Sequence, residues 1–533
     1  MPVKDLREWM ARVEELGELK HITKEVDWDE EMGAITYMVG KQEGGPALLF
    51  ENIKGYTDSG VSVLFNPFGS SKRRIAVALD EDPEMPMIDL IRATMTKLDR
   101  AIPPKEVPAA SAPVNEHVLT GDQIDLYKLP VPKHWPNDGG RYLGTADSVI
   151  TRNPDGGNVN LGTYRMMIQG KDEIGLYLSP GKDARLHITK MWEQGKSIEI
   201  CAVVGVDPLQ FLVSSQGFPK NVDEYNYVGG IRNEGVEVCQ GLFGDLPIPA
   251  RADMVLECVA EPNRLKPEGP FGEFTGYYGR PEADTPVLKV KAIHHRTKPV
   301  LTAALMADYP SCEQSLFFGV IRSARIWNDL QKMGIPGIKG VYSHPAAAGG
   351  FGAVIVQLQQ MYAGHVSQAL SIAAQCPGGA YYTKWIIGVE EDIDPTDMNE
   401  VLWAMSSRCN PVEDIDILRN TWSTWLDPTQ NPPEERPWGS KALINACREH
   451  RYLHVFSKRT AIRHEMYEKI SREWKELGLE GEPPRLLAFH QEDKRHALVE
   501  AKEFDHDNGA DGGNAERNPD AFAPGNGGVT MSM

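Results

Sequence analysis

The sequence has no C-x-x-C pair and no cluster of cysteines: its seven, at 201, 239, 258, 312, 376, 409 and 447, are scattered and odd in number. Such spacing supplies neither a disulfide framework nor a zinc site, and it fits a reducing compartment, the cytoplasm. Positive charge is also short. Lys and Arg number 56 against 75 Asp and Glu, a formal net charge of −19 with no basic tract, which argues against a sequence-independent grip on nucleic acid because counterion displacement needs cations. No window approaches the roughly 18 apolar residues of a membrane span. The opening "MPVKDLREWMARVEELGELK" mixes acids and bases throughout, so it does not read as a signal peptide. No repeat of 20 to 50 residues is visible. The Gly-rich "AAAGGFGAV" at 346–354 has neither the spacing of a dinucleotide fingerprint nor a P-loop lysine, and it reads as a turn into a strand.

What is present is a chain of 533 residues, 41% hydrophobic, long enough for about three domains with real cores. Leu6, Trp9, Met10, Val13 and Leu16 recur at helical spacing between a candidate cap, Asp5, and a stop, Gly17. From Ala47 to Leu79, "PALLFENIKGY", "GVSVLFNPFG" and "RRIAVAL" read as strands, followed by a helix in "PMIDLIRATMTKL". The Pro- and Ala-rich stretch 101–116 reads as a linker. Between about 118 and 305 strand signals dominate and end in a hairpin-like "VLKVKAIHHRTKPVLTAAL", which predicts a mostly antiparallel sheet or barrel. From 313 helices and strands alternate, the pattern of a third, α/β domain. The last residues, Gly-rich, polar and aperiodic, read as a disordered tail.

One segment asks for a chemical explanation. In "RLKPEGPFGEFTGYYGRP", residues 264–281, Glu268 and Glu273 flank Gly-Pro-Phe-Gly. The prolines and glycines predict a shaped loop and exclude helix or ordinary strand. A carboxylate pair can divide labour when the two environments push the pKa values apart; on spacing alone, solvated loop acids are the commoner reading. Upstream, "NVNLGTYRMMIQG" carries Asn160 and Arg165 on a predicted strand, and "NVDEYNYVGG" carries Glu224 in a loop. Asn and Glu oxygens suit Mn²⁺ or Mg²⁺, and arginine can grip a carboxylate or phosphate bidentately. Asn160 and Arg165, an odd number apart, face opposite sides of a regular strand, so one site uses both only if the strand bulges or twists, as at Gly162.

These stretches in this order, "NLGTYR", "VDEYNYVGG", "PEGPFGE" and "VEEDIDPTDMNEVLWAMSSR", resemble the UbiD-like family of decarboxylases that use prenylated FMN, from about residue 1 to about 490. The resemblance implies an α+β and α/β multidomain fold: an N-terminal α/β unit (1–112), a central split β-barrel of flavin-reductase type (113–310), a C-terminal α/β oligomerisation domain (311–495) and a tail (496–533). It implies Arg165, Glu268 and Glu273 as the catalytic set, and Asn160 with Glu224 as ligands of a divalent metal, Mn²⁺ or Mg²⁺, that clamps the cofactor phosphate, with K⁺ nearby. Thr163 and Tyr164 would line the flavin; Lys182 and Lys384 would reach the cofactor region. The sequence departs from the family at the third metal ligand, usually a histidine shortly after the "LYLS" strand. Lys182 and Asp183 stand near that place, and the first histidine is His187, the preferred ligand here, with an acid or water as the alternative.

The implied activity is reversible, non-oxidative decarboxylation of an aromatic or α,β-unsaturated acid: a hydroxybenzoate, a polyprenyl hydroxybenzoate, or an aryl-coenzyme A thioester such as phthaloyl-CoA. The implied partners are a separate flavin prenyltransferase, which supplies the cofactor, and further copies of the chain in a dimer or hexamer. The apolar helical faces of "IRSARIWNDLQKM" and "QALSIAAQ" are the expected contacts between copies. Two other readings stand beside it: an FMN oxidoreductase on a similar split barrel, and a non-catalytic assembly protein.

Overall fold

The structure is a computed structural model. It describes residues 2–490 except 43, 220, 221, 431, 433 and 434, so the expected tail lies outside the described residues. Residues Met1–Phe456 form one compact unit; Ser457–Met533 form a second, in which the helix His464–Glu473 is described.

The first unit is a mixed α/β assembly of several sheets. Leu19–Ile22, Ala47–Phe50 and Ser62–Phe65 lie side by side in a four-stranded sheet whose last member is Val300–Ala303, parallel to Ser62–Phe65. This corrects the hairpin reading of "VLKVKAIHHRTKPVLTAAL". Ala283–His295 and Val300–Ala303 part into different sheets, because all four residues of the second strand are buried and find their partner strand in the N-terminal segment. The helix Leu6–Glu15 begins at Asp5, whose carboxylate accepts the Glu8 amide, and buries Leu6, Trp9 and Val13. A second correction concerns "RRIAVAL": residues Lys72–Ala78 are a helix capped by Ser71. A short apolar run does not distinguish a buried strand from a buried helix. Here Arg74 decides it, sunk under the helix and donating to Phe68 O and Gly45 O.

The centre is a nine-stranded antiparallel sheet, built on Ile198–Val203, Met254–Glu268 and Ala283–His295. One of its edges is Tyr142–Gly144 and the other Val159–Gly162. The expected linker contributes Lys105–Glu106 to a three-stranded sheet with Glu237–Gln240 and Pro247–Pro249. The third layer is a five-stranded sheet with the helix Gln314–Lys332 packed on its Ile338–Ser343 strand. That helix is buried without interruption from Gln314 to Leu330. Its expected intersubunit face is therefore already covered within one chain.

Candidate active site

The strand through "NVNLGTYRMMIQ" breaks. Val159–Gly162 and Met166–Gly170 belong to different parts of the central sheet, and Thr163–Arg165 lie outside both ladders. The break resolves the parity problem, because Asn160 stays in a strand while Arg165 is free to turn inward. Glycine is required at 162, where an added Cβ would stand 2.3 Å from the ring of Tyr164.

Met254–Glu268 is a fifteen-residue strand, so the expected loop begins only at Gly269; Pro267 pairs opposite Asp284 and Glu268 opposite Ala283. The register shifts between Ala260 and Leu265, the interval that holds Pro262, and pairing resumes from Leu265 through Glu268. At its end Glu268 meets Arg165 edge-on: Nε donates to Oε1 and Nη2 to Oε2, both at 2.9 Å. Nη1 donates to Glu273 Oε1 at 2.5 Å. All three residues are buried. The guanidinium carbon also lies 4.3 Å from the Tyr177 ring centroid and 5.3 Å from that of Phe271. Burial works against the Arg165 charge, yet the two carboxylates outweigh it and hold the guanidinium above its ordinary pKa. Burial raises the pKa of Glu273, with Arg165 opposing and Glu268 reinforcing. The two acids thus sit in one charge cluster with different hydrogen-bond loads.

Three residues that support this set were not singled out from the sequence. Tyr142 donates its hydroxyl to Glu268 Oε1 at 2.8 Å; a tyrosine on a strand carries no signal of such a role. Asp138 clamps the loop between the two glutamates. Its Oδ1 accepts the Gly272 amide at 3.0 Å and its Oδ2 the amides of His134 and Trp135, while burial pushes its pKa up to about 6. Close packing fixes the same loop: a Cβ on Gly139 would lie 2.0 Å from Gly269 O, and one on Gly272 would lie 2.3 Å from Trp135. Arg280, in "YYGRP", is 8% exposed and sits 4.7 Å from the other cation's ring, Tyr177. Burial lowers its pKa, and no acceptor among the described residues meets its Nε or Nη2.

Most of the expected metal and cofactor residues, Lys384 excepted, gather around the Val159–Gly162 edge of the sheet. Glu224 is buried, its Oε2 accepts the Leu161 amide, and its own amide bonds Val159 O, so it lies beside the Asn160 strand. Burial raises its carboxyl pKa well above the usual range, Asp183 and Asp223 push it further, and Lys182 opposes. Asn160 donates to Thr151 Oγ1 at 3.3 Å, and the same hydroxyl shares a bond with His187 Nδ1 at 3.0 Å. His187 is thus joined to Asn160 through Thr151, and the acid that acts on Glu224 is Asp183, first residue of the helix Asp183–Glu193. No three His, Cys, Asp or Glu among the described residues form a metal-holding group. Thr163 donates to Asp147 O, and the Tyr164 amide to Asp147 Oδ1. Lys182 Nζ lies 4.4 Å from the Tyr381 ring. Lys384 stands apart from the Arg165 cluster, donating to Asp427 and Thr429 at a cleft of about 390 Å³.

A divalent ion and an anionic cofactor fit this chemistry. A buried carboxylate acted on by Lys182, Asp183 and Asp223, beside the strand of an amide that is joined through Thr151 to an imidazole, is a donor set suited to a hard cation.

Comparison with known proteins gives one pattern along the chain. Family models described as the 3-octaprenyl-4-hydroxybenzoate carboxy-lyase N-terminal, Rift-related and C-terminal domains match residues 10–94, 105–309 and 315–446. An uncharacterized protein of Aquifex aeolicus is 32% identical over 500 residues, 90% of this chain and 99% of that one. Among solved structures, vanillic acid decarboxylase of Sedimentibacter hydroxybenzoicus in its closed form aligns with a TM-score of 0.81 at 28% identity, covering 90% of this chain and 100% of that one. HmfF of Pelotomaculum thermopropionicum, a UbiD-class enzyme solved with FMN, aligns at 0.75 and 28% identity, covering 86% and 97%; an evolved dimeric form of it was solved with prFMN.

Proposed function

The chain belongs to the UbiD family of carboxy-lyases, and from that premise we propose that it is a reversible, non-oxidative decarboxylase of an aromatic or α,β-unsaturated carboxylic acid that works with prenylated FMN on a split barrel of flavin-reductase type. The observation that carries the reading is the buried cluster in which one arginine is shared by Glu268 and Glu273.

Loss of CO₂ leaves an electron pair that no side chain accepts; the bound flavin supplies that sink. The chain's own residues do the rest. Glu273, whose affinity for a proton is raised by burial, delivers a proton to the carbon that lost CO₂ and recovers it in the carboxylation direction. Glu268 keeps its two oxygens on Arg165 and the Tyr142 hydroxyl, and so acts as the fixed partner that orients the guanidinium. Arg165, with three of its donors spent on carboxylates, is a rigid charge at the reacting face. Asp138 and the close-packed glycines keep Glu273 in register with it.

Asn160, Glu224 and His187 would hold Mn²⁺ or Mg²⁺ against the cofactor phosphate, with Asp183 as the alternative third ligand and K⁺ nearby. Thr163, Tyr164 and Lys182 would line the flavin, with Lys384 toward its outer edge. A dimer or hexamer, a cytoplasmic setting and a flavin prenyltransferase as cofactor supplier complete the proposal; support comes from the relatives solved with FMN and prFMN and as a dimer. The test is the visible spectrum of protein produced alongside a flavin prenyltransferase, mass spectrometry of the released cofactor, and CO₂ release from a panel of hydroxybenzoates and aryl-CoA acids. Protein that retains no flavin and releases no CO₂ from any of them overturns the proposal.

A further inference from the structure

Arg165 and Arg280 flank one aromatic ring, with guanidinium carbons 4.3 and 4.7 Å from the Tyr177 centroid, yet they are used differently. Arg165 spends its Nε–Nη2 edge on Glu268 in a bidentate pair. The same edge of Arg280 is buried and met by no acceptor among the described residues, and none of their carboxylates pairs with it. Burying a guanidinium fork without an acceptor is costly, and a ligand that brings the acceptor removes the cost. The backbone holds the fork in place: a Cβ at Gly279 would lie 2.8 Å from Leu426 and 3.0 Å from Glu273 Cγ, so Arg280 is seated against the proton-bearing loop.

A planar, two-oxygen anion matches that edge. Two substrate groups qualify, and physics separates them. The departing carboxylate loses its charge as CO₂ forms, so a guanidinium clamped on it would stabilise the ground state more than the transition state and slow the reaction. An anion that keeps its charge throughout is held equally in both, and its binding energy serves to position the reacting end. We propose that the Nε–Nη2 edge of Arg280 binds a second, non-departing carboxylate, which makes the substrate an aromatic or unsaturated dicarboxylic acid. The inference rests on the decarboxylase reading above and specifies its substrate class.

The experiment is calorimetric titration of the full chain loaded with FMN, using benzoate and the ortho, meta and para benzenedicarboxylates, on the parent, Arg280→Lys and Arg280→Gln. In the parent at least one diacid isomer should bind about 10-fold or more tighter than benzoate. Arg280→Gln should weaken that diacid at least 10-fold more than it weakens benzoate, and Arg280→Lys, which keeps the charge but loses the fork, should fall between. A parent that binds no diacid isomer more tightly than benzoate, or an Arg280→Gln that weakens both alike, overturns the proposal. Should Arg280→Gln fail to fold, the parent's preference and Arg280→Lys decide. CO₂ release with prenylated FMN separates the two readings. A diacid preference without CO₂ from any acid leaves Arg280 as a dicarboxylate site and removes the decarboxylase; CO₂ from monoacids without a diacid preference does the reverse.

Discussion

Glu268→Gln perturbs the charge cluster with almost no change of shape. The amide oxygen can still accept Arg165 Nε and the Tyr142 hydroxyl, but the amide nitrogen then faces Nη2, donor against donor. One charge-assisted hydrogen bond is lost, about 1.5–3 kcal/mol of local stability. The larger effect falls on Glu273. Two unit charges on either side of a guanidinium, roughly 6 Å apart, interact by about 3 kcal/mol at an effective dielectric of about 20. Removing the Glu268 charge should therefore lower the proton affinity of Glu273 by about a hundredfold. Glu273 has a folded pKa above its ordinary one, so its contribution to stability is complete below the ordinary value and is lost as pH rises through the folded value; in Glu268→Gln that loss should move to lower pH. Infrared difference titration of the protonated carboxyl reads this directly, with the band assigned by its disappearance in Glu273→Gln. If the band titrates at the same pH in the parent and in Glu268→Gln, the two acids do not share a charge cluster and the division of labour between them is wrong.

Glu273→Gln, which keeps size but cannot deliver a proton, should fold normally and lose roughly 10²-fold or more in turnover, with solvent-proton exchange into the product falling in parallel; parent rates in the loaded mutant would return Glu273 to the status of a structural acid. Glu224→Ala should fold yet lower the flavin-to-protein and metal-to-protein ratios, as a hard cation between protein oxygens and a phosphate would leave with its ligand; unchanged ratios would take Glu224 out of the site. Lys441 is buried and donates to Ala374 O, Gly379 O and Ala380 O, and burial pulls its pKa down to about 7. The unfolded chain then holds the extra proton above that value, so stability of the parent relative to Lys441→Met should rise by about 3–4 kcal/mol between pH 7 and pH 10. Thermal midpoints of the two proteins that stay parallel across that window would show that Lys441 is charged throughout.

Much of this architecture was legible because local signals agreed with tertiary context. The Asp5 cap and the 3.6-residue spacing of Leu6, Trp9 and Val13 produced the helix they predict, and the strand signals between 118 and 305 produced the antiparallel sheet. Two readings failed where partnership is non-local. "RRIAVAL" carries no alternation to tell strand from buried helix, and nothing near Val300 in the sequence shows that its partner is Ser62–Phe65. In the site, charged residues in a Gly-Pro loop drew attention to Glu268 and Glu273, whereas Tyr142 and Asp138 reach that loop through hydrogen bonds to partners over a hundred residues away, which no short motif records. Arg280 was in plain view in the same loop. Its significance is an unmet pair of donors, and that exists only in three dimensions.

The strand Val300–Ala303, which completes the sheet begun by Leu19–Ile22, has a consequence for how the protein is made. On the ribosome Ser62–Phe65 emerges about 230 residues before the strand that covers its edge, and at about 5–20 residues per second that wait is on the order of 10–50 s. For that interval a nascent apolar edge stands open, so a chaperone that binds extended apolar segments should engage chains stalled before Val300 and release those stalled well after Ala303.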